Sequence, residues 1–255
     1  MDLYDKLIEV RNGPEEAALC LITGTHGSTP RRIGARMLVL ASGTIHGTIG
    51  GGALEREVVH HALECIRKGT PQMRRHDLLH QHGMCCGGSV DIYIEPVKKK
   101  NKLYIFGAGH TGAALARLAR AVDLDVYLAD DRREYLDAVQ HDGINLLPGS
   151  HTDLLPLLPF DTRSYIAIMT YSHPMDREIL AFCLKKPFAY LGMIGSQRKV
   201  ELTRKMFLEG GICTAEELAR ADMPMGLDIS AEGPEEIAVS ILAKLIAVKN
   251  KTTTP

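Results

Sequence analysis

The 255-residue sequence has no tryptophan, and aromatic residues make up only 5% of it. A core with so few rings has to be filled by Ile, Leu, Val, Met and Ala. No charge sign dominates, with Lys and Arg at 30 and Asp and Glu at 31. The chain therefore lacks the basic surplus with which nucleic-acid binders meet phosphates, and it lacks a strongly basic membrane-binding character. No apolar run reaches the roughly 20 residues that span a bilayer. The opening stretch, MDLYDKLIEVRNG, has no apolar h-region of a secretory signal. A cytoplasmic chain with neither membrane nor nucleic acid as partner is expected. Cysteine is also scarce, since six in a chain of this length do not make a disulfide scaffold. Cys20, Cys65, Cys183 and Cys213 are scattered. Cys85 and Cys86 are adjacent, so they do not readily pair with each other but can present thiolates to a ligand.

What is present is globular: 45% hydrophobic and 24% charged residues, in a length that suggests one large domain or two modest ones. Lys98–Lys102 reads as a linker, which divides the chain into 1–98 and 99–255. Before it, residues 2–11 have the spacing of a short helix. Ala18–Thr23, Ala35–Leu40, Thr44–Ile49, Arg75–Leu79 and Val90–Val97 read as strands. Gly50-Gly51-Gly52 opens a helix to about Arg67, with Leu54, Val58, Ala62 and Ile66 as its apolar stripe. This half is mixed α+β with antiparallel strands.

After the linker, strands alternate with helices. Leu103–Phe106, Asp125–Ala129, Ile144–Leu147, Tyr165–Met169 and Ala189–Met193 read as strands. Thr111–Ala121, Glu134–Gln140 and Met175–Leu184 read as the helices between them. That alternation implies an α/β, doubly wound parallel sheet. Further helices are expected at Gln197–Leu208, at Thr214–Ala221 with a capping box, and from Pro234 onward. In the last, Ile237, Ala238, Ile241, Leu242, Leu245 and Ile246 form the buried face.

The clearest chemical signal is Gly107-Ala108-Gly109-His110-Thr111-Gly112, a G-x-G-x-x-G that follows an apolar strand and opens a helix, with Asp130 and Asp131 about 20 residues on. Gly107 permits the turn, Gly109 lets backbone approach a pyrophosphate, and Gly112 lets helix and strand pack closely. Asp130 would accept from ribose hydroxyls. Arg132 and Arg133 would instead meet a 2′-phosphate, which leaves NAD against NADP open. The plain alternative is a doubly wound domain whose nucleotide site has been reassigned.

Three N-terminal clusters are of a second kind. Gly27-Ser28-Thr29-Pro30-Arg31 combines a turn, hydroxyls and a guanidinium. Gly50-Gly51-Gly52 stands at a helix start with Glu55 one turn in. Gly83-Met84-Cys85-Cys86-Gly87-Gly88 surrounds thiols with glycine. Backbone N–H groups in such turns suit anions, although ordinary turn chemistry and buried cysteines explain each cluster singly. The three are expected to converge. His80 and His82 with Cys85 and Cys86 match no structural zinc spacing, and His60-His61 reads as one exposed and one packed histidine. Ser172-His173-Pro174-Met175-Asp176 and Gly195-Ser196-Gln197-Arg198-Lys199 both follow strands, at the carboxyl ends where α/β sheets bind ligands.

The segments GSTPRRIGARMLV (27–39), TIGGGALE (48–55), GMCCGGSVDIYIEP (83–96), LYIFGAGHTGAALARLA (103–119), YLGMIGSQRK (190–199) and GLDISAEGPEEIAVSILA (226–243) resemble, in order, those of the XdhC/CoxI family of xanthine dehydrogenase accessory proteins. The resemblance implies an N-terminal XdhC domain and a C-terminal Rossmann domain. It implies a cofactor chaperone that binds molybdenum cofactor, as molybdopterin or a dinucleotide form, supports its sulfuration by a cysteine desulfurase, and inserts it into a molybdenum hydroxylase such as xanthine dehydrogenase. Ser28, Arg31, Gly51, Gly52, Glu55, Cys86, Gly107, Gly109, Gly112, Asp130, His173 and Ser196 are the expected cofactor-binding residues, with Cys86 the candidate metal ligand. Ala53 departs from the Cys or His of several branches, so no side-chain role carries over there. NAD(P) at the Rossmann turn stays open, as do an NAD(P)-dependent oxidoreductase and a nucleotide-sensing module, and a homodimer is expected only as the commonest assembly. The hydroxylase itself is not expected, because the sequence shows no cysteine set for iron–sulfur clusters.

Overall fold

The computed structural model describes residues 2–79, 87–139 and 143–251. The chain forms two compact units, Met1–Lys99 and Lys100–Pro255. The first runs α1 (Leu3–Asn12), β1 (Ala17–His26), β2 (Arg36–Leu40), β3 (Ile45–Gly47), α2 (Gly52–Lys68), β4 (Gln72–Asp77) and β5 (Ser89–Pro96). Its strands form an antiparallel sheet of order β3-β2-β1-β5-β4. Alternate residues of the strands, among them Cys20, Ile22, Ile92 and Ile94, meet the α2 stripe Leu54, Val58, Ala62 and Cys65 in one core. The periods of 2 and 3.6 thus bury one sheet face against one helix face. Val10 of α1 joins Ala17, Leu38 and Leu40 in a second cluster.

The second unit runs β6 (Asn101–Phe106), α3 (His110–Ala119), β7 (Leu124–Asp130), α4 (Arg133–Asp137), β8 (Ile144–Pro148), α5 (His151–Leu154), β9 (Ser164–Ile168), α6 (His173–Leu184), β10 (Tyr190–Met193), α7 (Gln197–Glu209), α8 (Ala215–Ala219) and α9 (Gly233–Lys251). All five strands are parallel, in the order β10-β9-β6-β7-β8. The chain therefore leaves β6 toward one edge and returns to β9 on its other side, a topological switch point at the carboxyl end of β6. Each sheet face has its own core. One gathers Leu103, Ile105, Leu115 and Ala238, Ile241 and Leu245 of α9. The other gathers Phe106, Ile166, Ile168, Ile179, Leu180 and Phe207.

Several boundaries differ from the sequence reading. Asn101 and Lys102, expected in the linker, pair with Leu124 and Asp125 as the first residues of β6. Helix α5 has no counterpart in that reading. Four residues cannot display a period, and only the Ser150 side chain accepting from the Asp153 N–H marks the helix start. Strand β4 begins three residues earlier than read, because its polar sequence QMRRHD hides the alternation. No helix among the described residues is long and apolar enough to cross a membrane.

Candidate functional site

The glycine turn connects β6 to α3 at the switch point. The Gly107 N–H donates to the Ala129 carbonyl at 2.8 Å, and Gly107 has φ +114°, a value that suits glycine. A Cβ at Gly107 would strike the Met169 carbonyl oxygen, and one at Gly112 would strike the carbonyl oxygen of Gly107. These two glycines therefore permit backbone contact inside the protein. Gly109 differs, since it caps α3 with φ −62° and has nothing within 4 Å of where its Cβ would be. No acid occupies the first turn of α3 and no side chain caps it. Its first N–H groups lack intrahelical acceptors, and with the helix dipole they favour an anion at Gly109. A pocket of about 620 Å³ lies beside them, lined by Gly109, His110, Arg117, Tyr135 and Glu235, among others.

Asp130 closes β7 and is buried. Its Oδ2 accepts from the Ala108 N–H at 2.7 Å and from Arg132 Nη2 at 2.9 Å, while Oδ1 accepts from the Arg132 N–H at 3.0 Å and Nε at 2.9 Å. Burial pushes its carboxyl up, but these donors and the guanidinium charge outweigh burial and hold it below the ordinary range. Arg132 is held from both faces, 3.9 Å from the Tyr135 ring centroid and 4.1 Å from that of Tyr171. The Tyr171 hydroxyl in turn donates to Asp131 at 2.9 Å. The carboxylate expected to receive ribose hydroxyls is therefore already engaged, and the arginine expected to meet a 2′-phosphate engages it. Tyr135 and Tyr171 were absent from the sequence reading, because no motif spacing links them to the glycine turn. A second pocket of about 270 Å³ spans the carboxyl ends of β6, β7, β8 and β9, with Phe106, Asp131, His151, Tyr171 and Ile179 in its walls.

In the N-terminal unit the described parts of the three clusters meet. Ser28 forms a parallel bridge with Gly87. A Cβ on Gly88 would strike the carbonyl oxygens of Ser28 and His26, and one on Gly50 would lie 2.6 Å from Cγ of Pro30. Ser28 and Arg31 are exposed, and Gly51 and Gly52 are open at their Cβ positions. Glu55 folds back on its own loop. Its Oε1 accepts from Thr48 Oγ1 at 2.5 Å and from the Ile49 N–H at 3.1 Å. Burial raises its carboxyl, but the Thr48 hydroxyl and the backbone N–H groups of Gly51, Ile49 and Gly50 lower it further, so the net direction is down. The negative charge at this glycine cluster is thus supplied by the protein itself.

Glu55→Gln tests that arrangement. A carboxylate whose folded pKa lies below its unfolded value of about 4.3 contributes stability above that value and loses it as pH falls through the folded pKa. Wild type should exceed the variant by about 1 kcal/mol at pH 7. The gap should close in acid, below about pH 4. Denaturant melts across pH measure both, and a gap that persists in acid contradicts the assignment.

The remaining expected residues lie elsewhere. His173 begins α6, with Nδ1 3.3 Å from Oδ2 of buried Asp176. Ser196 caps α7 through its backbone and is exposed. Cys20 and Cys183 are buried, which pushes both thiols up to about 12 and leaves them as core residues. Cys85, Cys86, His80 and His82 lie outside the described residues. Among the described residues no group of three or more His, Cys, Asp or Glu is placed to hold a metal ion.

Fold and site define a class: a doubly wound Rossmann-type domain whose glycine turn leaves the start of its first helix uncapped by any side chain, preceded in the chain by a small antiparallel α+β domain. Residues 103–245 match the family model described as the XdhC Rossmann domain, and residues 10–77 match that of the XdhC and CoxI family. The chain belongs to the XdhC and CoxI family. It is similar to the uncharacterized protein YqeB of Escherichia coli K12, at 35% identity over 95% of this chain and 45% of the relative. It is also similar to a probable xanthine dehydrogenase subunit of Bacillus subtilis, at 27% identity over 64% of this chain and 47% of the relative. The chain thus spans about half the length of these curated relatives. A crystal structure described as that of a xanthine dehydrogenase from Bacillus halodurans has the same fold, with a TM-score of 0.54 at 21% identity, covering 98% of this chain and 96% of that one.

Proposed function

We propose that this protein is an accessory factor that binds molybdenum cofactor and helps place it in a xanthine dehydrogenase-type molybdenum hydroxylase. The observation that carries the reading is the glycine turn: its N–H end is open at Gly109, while the acid that would receive a dinucleotide's ribose is locked by Arg132. Such a seat fits a phosphate better than a second nucleoside, and molybdopterin carries a phosphate. The same lock weighs against an NAD(P)-dependent oxidoreductase, which would have to displace Arg132 before its cofactor could settle. The family membership and the name of the Bacillus subtilis relative support a hydroxylase as recipient.

When bound, the cofactor would supply a molybdenum–dithiolene centre to the recipient enzyme. The residues of this chain would hold it. The N–H groups from Gly109 onward would meet its phosphate. Cys86 is the candidate thiolate, a soft neighbour for molybdenum or sulfur, and a cysteine desulfurase is the expected sulfur source. Protein purified without oxygen should carry molybdenum and a pterin in near-equal amounts. A chain that holds neither, and instead oxidises NAD(P)H steadily with a defined carbonyl substrate, overturns the reading.

A further inference from the structure

The glycine turn does not use the pocket at the other end of the switch. This pocket, about 350 Å³, lies where β9 and β10 end, between α6 and α7, and its walls include His173, Asp176, Arg177, Lys199 and Thr203. Asp176 is 1% exposed and is anchored. Its Oδ1 accepts from the Thr170 N–H at 2.9 Å and from the Thr170 hydroxyl at 2.6 Å, and the Ser172 N–H donates back to that hydroxyl at 3.2 Å. Oδ2 is left to His173 Nδ1 at 3.3 Å. An ionised carboxylate only accepts, so opposite an ionised Asp176 the histidine nitrogen facing Oδ2 carries the proton. Nε2 is then the ring's acceptor, on a side chain that is 48% exposed. A buried carboxylate that fixes the tautomer and orientation of a histidine is the usual way to present one ring nitrogen for work. Burial raises the Asp176 carboxyl while Thr170 and His173 pull it back, and the net direction is up. The histidine's N–H thus supports an otherwise costly buried acid.

We propose that this pocket is a second ligand site, for a small phosphate-type oxyanion, in which Lys199 and Arg177 meet the negative charge and His173 Nε2 accepts the ligand's acidic proton. Dihydrogen phosphate and the monoanions of phosphate monoesters have both features, a dispersed anionic charge and an ionisable O–H. Proton transfer to Nε2 leaves the dianion beside two cations and an imidazolium whose Nδ1–H faces Asp176, so charge and protons balance within the pocket. The site is separate from the glycine turn and does not depend on molybdenum cofactor.

The test uses the full chain labelled with ¹⁵N-histidine and titrated with inorganic phosphate at constant ionic strength. His173→Gln assigns the His173 ring signals among the 11 histidines. The proton is expected on Nδ1 in the free protein, and the Nε2 signal should move saturably with phosphate. Lys199→Ala should weaken that response about tenfold, equivalent to about 1.4 kcal/mol, and Arg177→Ala similarly. Asp176→Asn should shift the tautomer. If that variant does not fold, the wild-type tautomer alone decides the point. Gly109→Val should leave the His173 response unchanged. A proton on Nε2, an Nε2 signal indifferent to phosphate, or a response that Gly109→Val abolishes and Lys199→Ala does not, each overturns the proposal.

Discussion

Gly112→Ala should cost at least about 3 kcal/mol, the upper end for overpacking, and lower the melting temperature of the C-terminal unit by roughly 6–12 °C. The added methyl has nowhere to go, because the Gly107 carbonyl oxygen stands where it would lie and Gly107 is itself pressed against the Met169 carbonyl. To admit it, α3 would have to lift off β6, and Leu115 and Ala116 would leave the core they share with Leu103 and Ile105. Gly109→Ala is the control. At φ −62° with open space ahead, alanine fits without strain and should hold or raise stability by a few tenths of a kcal/mol to about 1 kcal/mol, through a less mobile unfolded chain. It should nevertheless lose most of the anion binding, since the methyl projects into the space in front of the donors. Calorimetry with phosphate-binding measurements on both variants separates the roles. Equal stability losses in the two contradict the division between packing glycines and the approach glycine.

Arg132→Ala should have an effect at least as large, and in two directions. It leaves the Asp130 carboxylate buried with only two backbone donors among the contacts seen, the N–H groups of Ala108 and of position 132. Removing one partner of a buried charge pair costs about 3–5 kcal/mol, and the lost stacking on Tyr135 and Tyr171 adds roughly 1 kcal/mol. Asp130 should also change its pH behaviour. In wild type its pKa lies below the unfolded value, so its contribution is present above that value and fades only as pH falls through the folded pKa. Without the guanidinium, burial becomes the ruling influence and the folded pKa moves above the unfolded value, so the variant should lose stability as pH rises through that range and its deficit against wild type should narrow in acid. The same change frees a diol acceptor. ADP-ribose should raise the melting temperature of the variant by more than that of wild type. Tight ADP-ribose binding by wild type, unaltered in the variant, would falsify the view that Arg132 shuts the ribose site.

Much of this was legible in the sequence for identifiable reasons. The parallel sheet announced itself because Leu103–Phe106, Tyr165–Met169 and Ala189–Met193 are short apolar runs separated by helix-length segments. The turn was legible because glycine is required where φ is +114° and where a carbonyl fills the Cβ position of Gly112. The partners of polar groups were not legible. That Asp130 holds Arg132 instead of an open seat depends on a side chain two residues away curling back, and on Tyr171, 39 residues beyond that arginine, closing the second face. Likewise, Glu55 filling the donors of its own loop follows from the path of Thr48–Gly51, which no spacing rule encodes. Motif spacing locates backbone donors, whereas tertiary contacts decide which side chains reach them first.

The central claim is that this chain carries molybdenum cofactor toward a hydroxylase, and transfer measures it most directly. Wild-type protein and Gly109→Ala, purified without oxygen, would each be mixed with a cofactor-free xanthine dehydrogenase-type hydroxylase, and the molybdenum acquired and the hydroxylase activity followed in time. Wild type should restore both in proportion, and the equally stable Gly109→Ala protein should restore little. Restoration by Gly109→Ala at the wild-type rate, or no acquisition of molybdenum from wild type, would contradict the claim.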